Sequence, residues 1–186
     1  MVINSTKMAD NRAFHLILGG ARSGKSHYAE QCAQEYEQLN TQTVVYIATA
    51  QAHDSEMQSR IEHHQQQRPS HWHTLEEPTT LAQTIMQSQA VFPTSPILID
   101  CLTLWVTNCL LQKEDVWQRE KQALLDCLSL VQSPLIMVSN EVGWGGVPMG
   151  ELSRQFVDES GRLHQQLANM ATQVSLVVAG IPLTVK

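Results

Sequence analysis

The chain has 186 residues, of which 42% are hydrophobic and 16% are charged. This balance is typical of a folded globular protein and argues against a disordered one. The formal net charge of −6 argues against non-specific nucleic-acid binding, because Lys and Arg are not in surplus to neutralise phosphates. No apolar run approaches the length of a membrane span.

We expect one domain over residues 14–186, preceded by a loose polar extension over residues 1–13 that has no apolar segment typical of a secretory signal. The four cysteines lie in apolar or helical contexts and form no Cys-x-x-Cys pair. This distribution favours reduced thiols in the core of a cytoplasmic protein.

Five short apolar runs, rich in β-branched residues, predict the buried strands of a parallel sheet. They occupy residues 14–18, 43–48, 96–99, 135–138 and 174–178, and residues 183–185 are expected to form a short edge strand. Apolar stripes at helical spacing run from Trp117 to Val131 and from about Gly150 to Thr172. The alternation predicts an α/β fold with a doubly wound, mostly parallel sheet.

A glycine-rich segment lies between the first predicted strand and a helical pattern that starts near Tyr28. Its sequence, Gly19-Gly20-Ala21-Arg22-Ser23-Gly24-Lys25-Ser26, fits the phosphate-loop pattern G-x-x-x-x-G-K-[ST] in the strand–turn–helix context that the motif requires. Backbone N–H groups of such a loop surround a phosphate, and the helix N-terminus adds a favourable dipole. Lys25 is expected to reach the β- and γ-phosphates and the Ser26 hydroxyl to hold Mg²⁺. The segment predicts a nucleoside triphosphate site.

Residues 51–94 form a polar insertion, rich in His and Gln, that is too long for an ordinary connection. We predict one helix over 55–67, opened by Asp54 or Ser55, and a second over 80–89. The insertion contains four crowded histidines: His63, His64, His71 and His73. No cysteine or carboxylate completes a known zinc spacing with them. A nucleophilic imidazole and a solvated surface cluster both fit the pattern.

Several polar and charged residues can be interpreted in two ways. Asp100 ends a predicted strand, where it suits a Mg²⁺ ligand acting through water or a cap for the next helix, over 103–111. Asn140 and Glu141 suit either a strand-end turn and helix cap or the orientation of a substrate. Arg22 suits either neutralisation of phosphate charge or a solvated position in the loop. Arg154 and Arg162 lie on the long predicted helix and suit solvated or ion-paired positions.

A series of short motifs extends along nearly the whole chain from about Phe14. They include the phosphate loop, Tyr46-Ile47-Ala48-Thr49-Ala50, Arg60-Ile61-Glu62-His63-His64 with Arg68-Pro69, Asp100-Cys101-Leu102-Thr103 and Ser139-Asn140-Glu141-Val142-Gly143. In this order they resemble the family of bifunctional adenosylcobinamide kinases/adenosylcobinamide-phosphate guanylyltransferases of the cobalamin pathway. The Arg-Ile-x-x-His-x-x-x-Arg-Pro stretch together with Asn-Glu-Val-Gly is far more specific for this family than the phosphate loop alone.

The resemblance implies a P-loop NTPase-like fold with a helical insertion after the second strand, and a two-step enzyme. ATP or GTP, with Mg²⁺, phosphorylates adenosylcobinamide; a histidine then takes GMP from GTP and passes it to adenosylcobinamide phosphate. The matched spacing points to His64 as the nucleophile, with His63 as the alternative. The residues that match guanine-nucleotide positions are Gln65, Gln66, Gln67, Arg68, Glu76 and Asp100. A homo-oligomer, specifically a trimer, is also implied.

Two other functions remain compatible with the residues. One is an ordinary P-loop small-molecule kinase in which the histidines have no chemical role. The other is a nucleotide-dependent regulatory module that turns over slowly. Retention of the α-phosphate of GTP on the denatured protein distinguishes the bifunctional enzyme from both.

Overall fold

The computed structural model describes residues 13–52, 55–112 and 115–186. The expected extension over residues 1–13 falls, except for Ala13, outside the described residues, as does Asp54, one of the two expected helix caps. The elements in chain order are β1 (Phe14–Gly19), α1 (Lys25–Asn40), β2 (Val45–Ala48), α2 (Ser55–Gln67), β3 (His73–Glu76), α3 (Leu81–Val91), β4 (Ile97–Asp100), α4 (Leu102–Leu110), α5 (Val116–Leu128), β5 (Leu135–Asn140), α6 (Glu151–Met170), β6 (Gln173–Val178) and β7 (Ile181–Thr184).

The seven strands form one sheet in the order β3-β2-β4-β5-β1-β6-β7. The first six strands of the chain pair in parallel, and β7 pairs antiparallel with β6 at the edge. β1 lies between β5 and β6 and is almost entirely buried, which explains its nearly continuous apolar sequence. The edge strand that was predicted near the end of the chain is present as β7.

Helices cover both faces of the sheet. On one face, α1 packs on a cluster that includes Ile17, Tyr46 and Leu98. On the other face, α3, α4, α5 and α6 enclose a larger cluster that includes Leu16, Ile47 and the fully buried Trp105. The two clusters come from alternate residues of the same strands, because successive side chains of a strand point to opposite faces. The predicted doubly wound α/β architecture is confirmed.

The insertion contains a strand that the sequence analysis did not predict. Both predicted helices occur within residues 51–94, but β3 lies between them and pairs in parallel with β2. All four β3 residues are exposed, so the strand lacks the apolar run of a buried one. The strand–helix alternation therefore continues through the insertion, and β3 extends the sheet at its edge. The other predicted elements are present with ends shifted by a few residues.

The four cysteines are free thiols, and two of them, Cys109 and Cys127, are buried. Within the described residues, no helix is both long enough and apolar enough to cross a bilayer.

Candidate active site

The phosphate loop connects the end of β1 to the start of α1. Arg22 has a φ of 57° and Gly24 a φ of 91°, so the loop winds through the left-handed region twice before α1 begins. The Ser23 N–H donates to the Gly20 carbonyl at 3.2 Å. The buried Lys25 side chain turns back over the loop, with Nζ 3.2 Å from the same carbonyl oxygen. Ala21 and Arg22 are exposed, and the Ser26 side chain is half-buried in the first turn of α1.

The turn between β6 and β7 packs against this loop. The Gly180 N–H donates to the Ser23 carbonyl at 2.8 Å. A Cβ atom added at Gly24 would lie 3.1 Å from the Gly180 Cα, so a side chain there would require the Gly180 backbone to shift. The shape of the loop thus depends on a contact with the C-terminal hairpin as well as on its own glycines.

The ends of the parallel strands bring the other predicted residues to the same edge of the sheet, here called the carboxyl edge. In the strand register Ala48 is paired with Glu76 on one side and with Asp100 on the other. Asn140 ends β5 and is paired with Gly19. Ligands of open α/β sheets bind beyond this edge. The structure therefore brings Glu76, Asp100 and the phosphate loop to one side of the molecule.

Asp100 belongs to a partly buried cluster of polar side chains. Its Oδ2 accepts a hydrogen bond from the Tyr46 hydroxyl at 3.1 Å. Burial raises the pKa of the nearby Glu30 to about 7; the Asp100 charge adds to this shift and the Arg68 charge opposes it. The alternative reading of Asp100 as a cap of α4 is not what the structure shows. The residue that precedes α4 is Cys101, and it makes no side-chain cap.

Tyr46 connects Asp100 to the end of α2. The Arg68 guanidinium carbon lies 3.6 Å from the centroid of the Tyr46 ring, a close cation–π contact. The Trp72 ring stacks on Tyr46 at 6.3 Å. The Arg68 Nε is buried and has no hydrogen-bond partner among the described residues. We call Glu30, Tyr46, Arg68 and Asp100 the Tyr46 cluster.

The insertion supplies α2, on which the expected nucleophile lies. Gln65 and Gln66 are exposed on this helix. His63, His64 and Gln67 also belong to α2, but their side chains lie outside the part of the molecule that the structure describes. What the structure does place is the residue that follows the helix, Arg68, and it lies against Tyr46 beside the carboxyl edge.

Asn140 and Glu141 lie beside the phosphate loop. The Asn140 N–H donates to Thr103 Oγ1 at 2.7 Å, and the Glu141 N–H donates to the Gly19 carbonyl at 3.1 Å. Glu141 Oε1 accepts the Gly143 N–H at 2.7 Å, which is the strand-end turn of one reading. The helix cap that this interpretation assigns to Asn140 and Glu141 does not occur at α6, because this helix begins at Glu151.

The two arginines of α6 have structural partners. Arg154 donates to the Pro148 carbonyl at 3.2 Å and to the Met149 carbonyl, while Arg162 pairs with Glu159 at 2.8 Å. Sequence analysis missed Glu30 and gave Tyr46 no role. Tyr46 lies in one of the motifs that carry the resemblance, but only the fold shows that it touches both Arg68 and Asp100.

Two substitutions at Tyr46 separate its ring from its hydroxyl. Tyr46→Phe is expected to lower the free energy of unfolding by about 1 kcal/mol, since only the bond to Asp100 is lost. Tyr46→Leu is expected to cost about 2–4 kcal/mol, because it also removes the stacked ring beneath Arg68 and leaves space in the core. Urea unfolding measures both values. Equal losses would show that the ring, with its contacts to Arg68 and Trp72, adds nothing to stability beyond its hydroxyl.

The sheet, the loop and the carboxyl edge define a class of protein: a P-loop nucleotide-binding α/β protein. Solved structures agree on the fold. A KaiC-like protein of Pyrococcus horikoshii matches with a TM-score of 0.52 and 14% identity, covering 89% of this chain and 70% of that one. The flagellar accessory protein FlaH of Methanocaldococcus jannaschii matches with a TM-score of 0.52 and 13% identity, covering 89% and 70%.

The particular family is given by sequence. The model of the cobinamide kinase / cobinamide phosphate guanyltransferase family matches residues 15–185. The bifunctional adenosylcobalamin biosynthesis protein CobP of Pseudomonas aeruginosa is 52% identical over 174 residues, covering 92% of this chain and 96% of that protein. The corresponding protein CobU of Escherichia coli K12 is 40% identical over 185 residues, covering 92% and 98%. The chain belongs to the cobinamide kinase / cobinamide phosphate guanyltransferase family, and the resemblance is confirmed.

Membership in this family makes the chain an enzyme with two transferase activities, a kinase and a guanylyltransferase of cobalamin biosynthesis. A purely regulatory module and a kinase with a single activity are thereby set aside. Nucleotide use follows from the same family and from the P-loop fold.

Proposed function

We propose that the chain phosphorylates the hydroxyl of adenosylcobinamide with ATP or GTP and then transfers GMP from GTP through a covalent GMP–histidine. One observation supports this proposal above all: Arg68, directly after the helix that carries His63 and His64, contacts Tyr46, which hydrogen-bonds Asp100 at the carboxyl edge. The helix that carries the candidate nucleophile is thus linked to the carboxyl edge, where β1 continues into the phosphate loop.

In the kinase step the phosphate loop, Gly19 to Ser26, binds the triphosphate and Lys25 stabilises the charge on its outer phosphates. The oxygen donors available for Mg²⁺ are the half-buried Ser26 hydroxyl and Asp100, whose Oδ2 accepts a hydrogen bond from Tyr46. Hard oxygen ligands of this kind suit the ion, which when bound neutralises phosphate charge. Adenosylcobinamide phosphate is the product.

In the second step the His64 imidazole attacks the α-phosphorus of GTP, a bond to GMP forms and pyrophosphate leaves. Adenosylcobinamide phosphate then takes the GMP and frees the histidine, so that one difficult transfer is divided into two. Gln65, Gln66, Gln67, Arg68, Glu76 and Asp100 are proposed to contact the guanine nucleotide. Glu76 and Asp100 flank the end of β2 in the sheet, which supports a shared role.

We also propose that the enzyme works in the cytoplasm as a homo-oligomer, specifically a trimer. Its free cysteines support a reducing compartment. Exposed apolar side chains on the edge strand β7, Ile181 and Leu183, support burial against another copy.

The nucleophile is tested with GTP labelled on the α- or the γ-phosphate, followed by denaturation. We expect acid-labile, base-stable label from the α-position only, because a phosphoramidate resists base. His64→Ala is expected to abolish this label and His63→Ala to retain it. His71→Ala, which removes an exposed histidine bonded to Glu37, serves as the control and should retain it.

Three results would contradict the proposal. Full α-label in the His64→Ala protein would exclude His64, and loss of the label in His63→Ala alone would move the nucleophile by one residue. Absence of covalent label in the unmodified protein, with GMP transfer still occurring, would require direct attack by the cobinamide phosphate.

A further inference from the structure

Glu141 lies next to the phosphate loop without belonging to it. It directly follows β5, which is the neighbour of β1, and its N–H donates to the Gly19 carbonyl at 3.1 Å. Its backbone is therefore about one strand spacing, ~4.8 Å, from the residue that begins the loop. A glutamate side chain is long enough to cross a gap of that size. The side chain of Glu141 therefore begins beside the loop that is proposed to hold the triphosphate.

The Glu141 carboxylate is held in place but is not neutralised. Oε1 accepts the Gly143 N–H at 2.7 Å, and a Cβ atom added at Gly143 would lie 3.0 Å from that oxygen. The side chain is 20% exposed. Within the described residues, no lysine or arginine pairs with it, and the basic group that approaches is His164, whose Nδ1 is 3.9 Å from Oε2.

His164 is a positioning residue rather than a counter-ion. The imidazole is buried on α6, and its Nε2 lies 2.8 Å from Ser139 Oγ. Burial lowers the pKa of His164, opposed by the charge of Glu141, so the ring is neutral near pH 7. A neutral ring beside Glu141 limits where the carboxylate can move and leaves its negative charge in place.

The other carboxylate at this edge is less suited to accept a proton. Asp100 already accepts the Tyr46 hydroxyl and lies close to Glu30 and Arg68, on the face covered by α1. Glu141 lies two residues after Ser139, so both side chains are on the opposite face of the sheet, towards α6. A substrate hydroxyl that approaches from this face meets Glu141.

We propose that Glu141 is the catalytic base of the kinase half-reaction. The substrate oxygen attacks the γ-phosphorus of the nucleotide and its proton passes to the Glu141 carboxylate. The new O–P bond forms while the bond from the γ-phosphorus to the bridging oxygen breaks, and that electron pair leaves with the nucleoside diphosphate. The proton then passes from Glu141 to water. This assignment rests on the proposed function and names the proton acceptor of its first step.

The guanylyl half-reaction has no use for this base. Its acceptor is a phosphate monoester, whose second pKa is near 6, so the attacking oxygen is already ionised at neutral pH. The two activities of one chain are therefore expected to respond differently to a single substitution. A residue needed only for folding or for holding the cobinamide would affect both.

The test is Glu141→Gln, which keeps the length of the side chain and an oxygen to accept the Gly143 N–H. Phosphorylation of adenosylcobinamide is expected to fall about 10²–10⁴-fold in kcat, with little change in KM for the nucleotide. GMP transfer from GTP to preformed adenosylcobinamide phosphate is expected to stay at the unmodified rate. Glu151→Gln, at the exposed start of α6, is the matched control and should alter neither activity.

Phosphorylation at the unmodified rate by the Glu141→Gln protein would overturn the assignment. So would equal loss of both activities with a raised KM for the cobinamide, which would identify Glu141 as a binding residue. If Glu141→Gln does not fold, Glu141→Asp keeps the charge and should slow phosphorylation alone. An unmodified protein that yields no cobinamide phosphate would instead refute the proposed kinase step, and with it the assignment.

Discussion

Gly19→Ala is expected to abolish nucleotide binding and to lower the stability of the protein. A Cβ atom at this position would lie 2.5 Å from Ser23 Oγ and 2.7 Å from the Val177 carbonyl oxygen. The hydroxyl could rotate away, but the carbonyl belongs to the backbone of β6 and is fixed by the sheet. Forcing an atom into so small a space costs about 1–3 kcal/mol and distorts the loop.

Gly20→Ala is the matched control, because a Cβ atom at Gly20 meets nothing within 4 Å. We expect it to unfold at the temperature of the unmodified protein, while Gly19→Ala unfolds several degrees lower. Circular dichroism measures the two transitions, and a fluorescent GTP analogue measures binding by Gly19→Ala. Unchanged stability and binding in Gly19→Ala would mean that the loop and β6 separate more easily than the close packing suggests.

Lys25→Met is expected to reduce the kinase activity by about 10²–10³-fold, the loss typical of one electrostatic group at a transition state. Lys25 is only 9% exposed, and its Nζ points back to the Gly20 carbonyl, 3.2 Å away, so the ammonium is oriented before any phosphate arrives. GMP transfer should fall as well, because the departing pyrophosphate contains the same two outer phosphates. Methionine has a similar length and should preserve the fold.

Lys186→Met provides the comparison for Lys25→Met. The Lys186 ammonium donates to the carbonyls of Ala168 and Asn169 at the end of α6, away from the loop, and its removal should leave both activities intact. Steady-state rates of each half-reaction measure the loss of activity, and an unfolding curve shows whether each variant is folded. A folded Lys25→Met protein with normal rates would contradict the assigned role of Lys25.

Features set by local sequence were predictable. The phosphate loop needs particular residues at fixed spacing between a strand and a helix, and β1 is apolar apart from His15 because the sheet buries it on both faces. Asp100 lies at the carboxyl edge because it ends an apolar run, which requires no knowledge of the other strands. Family membership followed from the same motifs in the same order.

Features set by contacts between distant segments were not predictable. β3 is an exposed edge strand, and it is defined by its partner β2 rather than by an apolar pattern of its own. The Tyr46 cluster combines side chains from α1, β2, the end of α2 and β4, and no spacing in the sequence indicates that Arg68 lies over the Tyr46 ring. The role of Glu141 likewise emerges only once β5 is known to adjoin β1.

The position of β1 in the sheet has a consequence for protein synthesis. Its two neighbours, β5 and β6, begin at Leu135 and Gln173, and the turn that holds the Ser23 carbonyl is at Gly180. A ribosome therefore releases the residues of the loop long before the segments that complete its surroundings. Contacts between such distant segments form late and slowly. We therefore expect the nascent polypeptide to lack the complete nucleotide site until the hairpin of β6 and β7 has been synthesised and has left the ribosome.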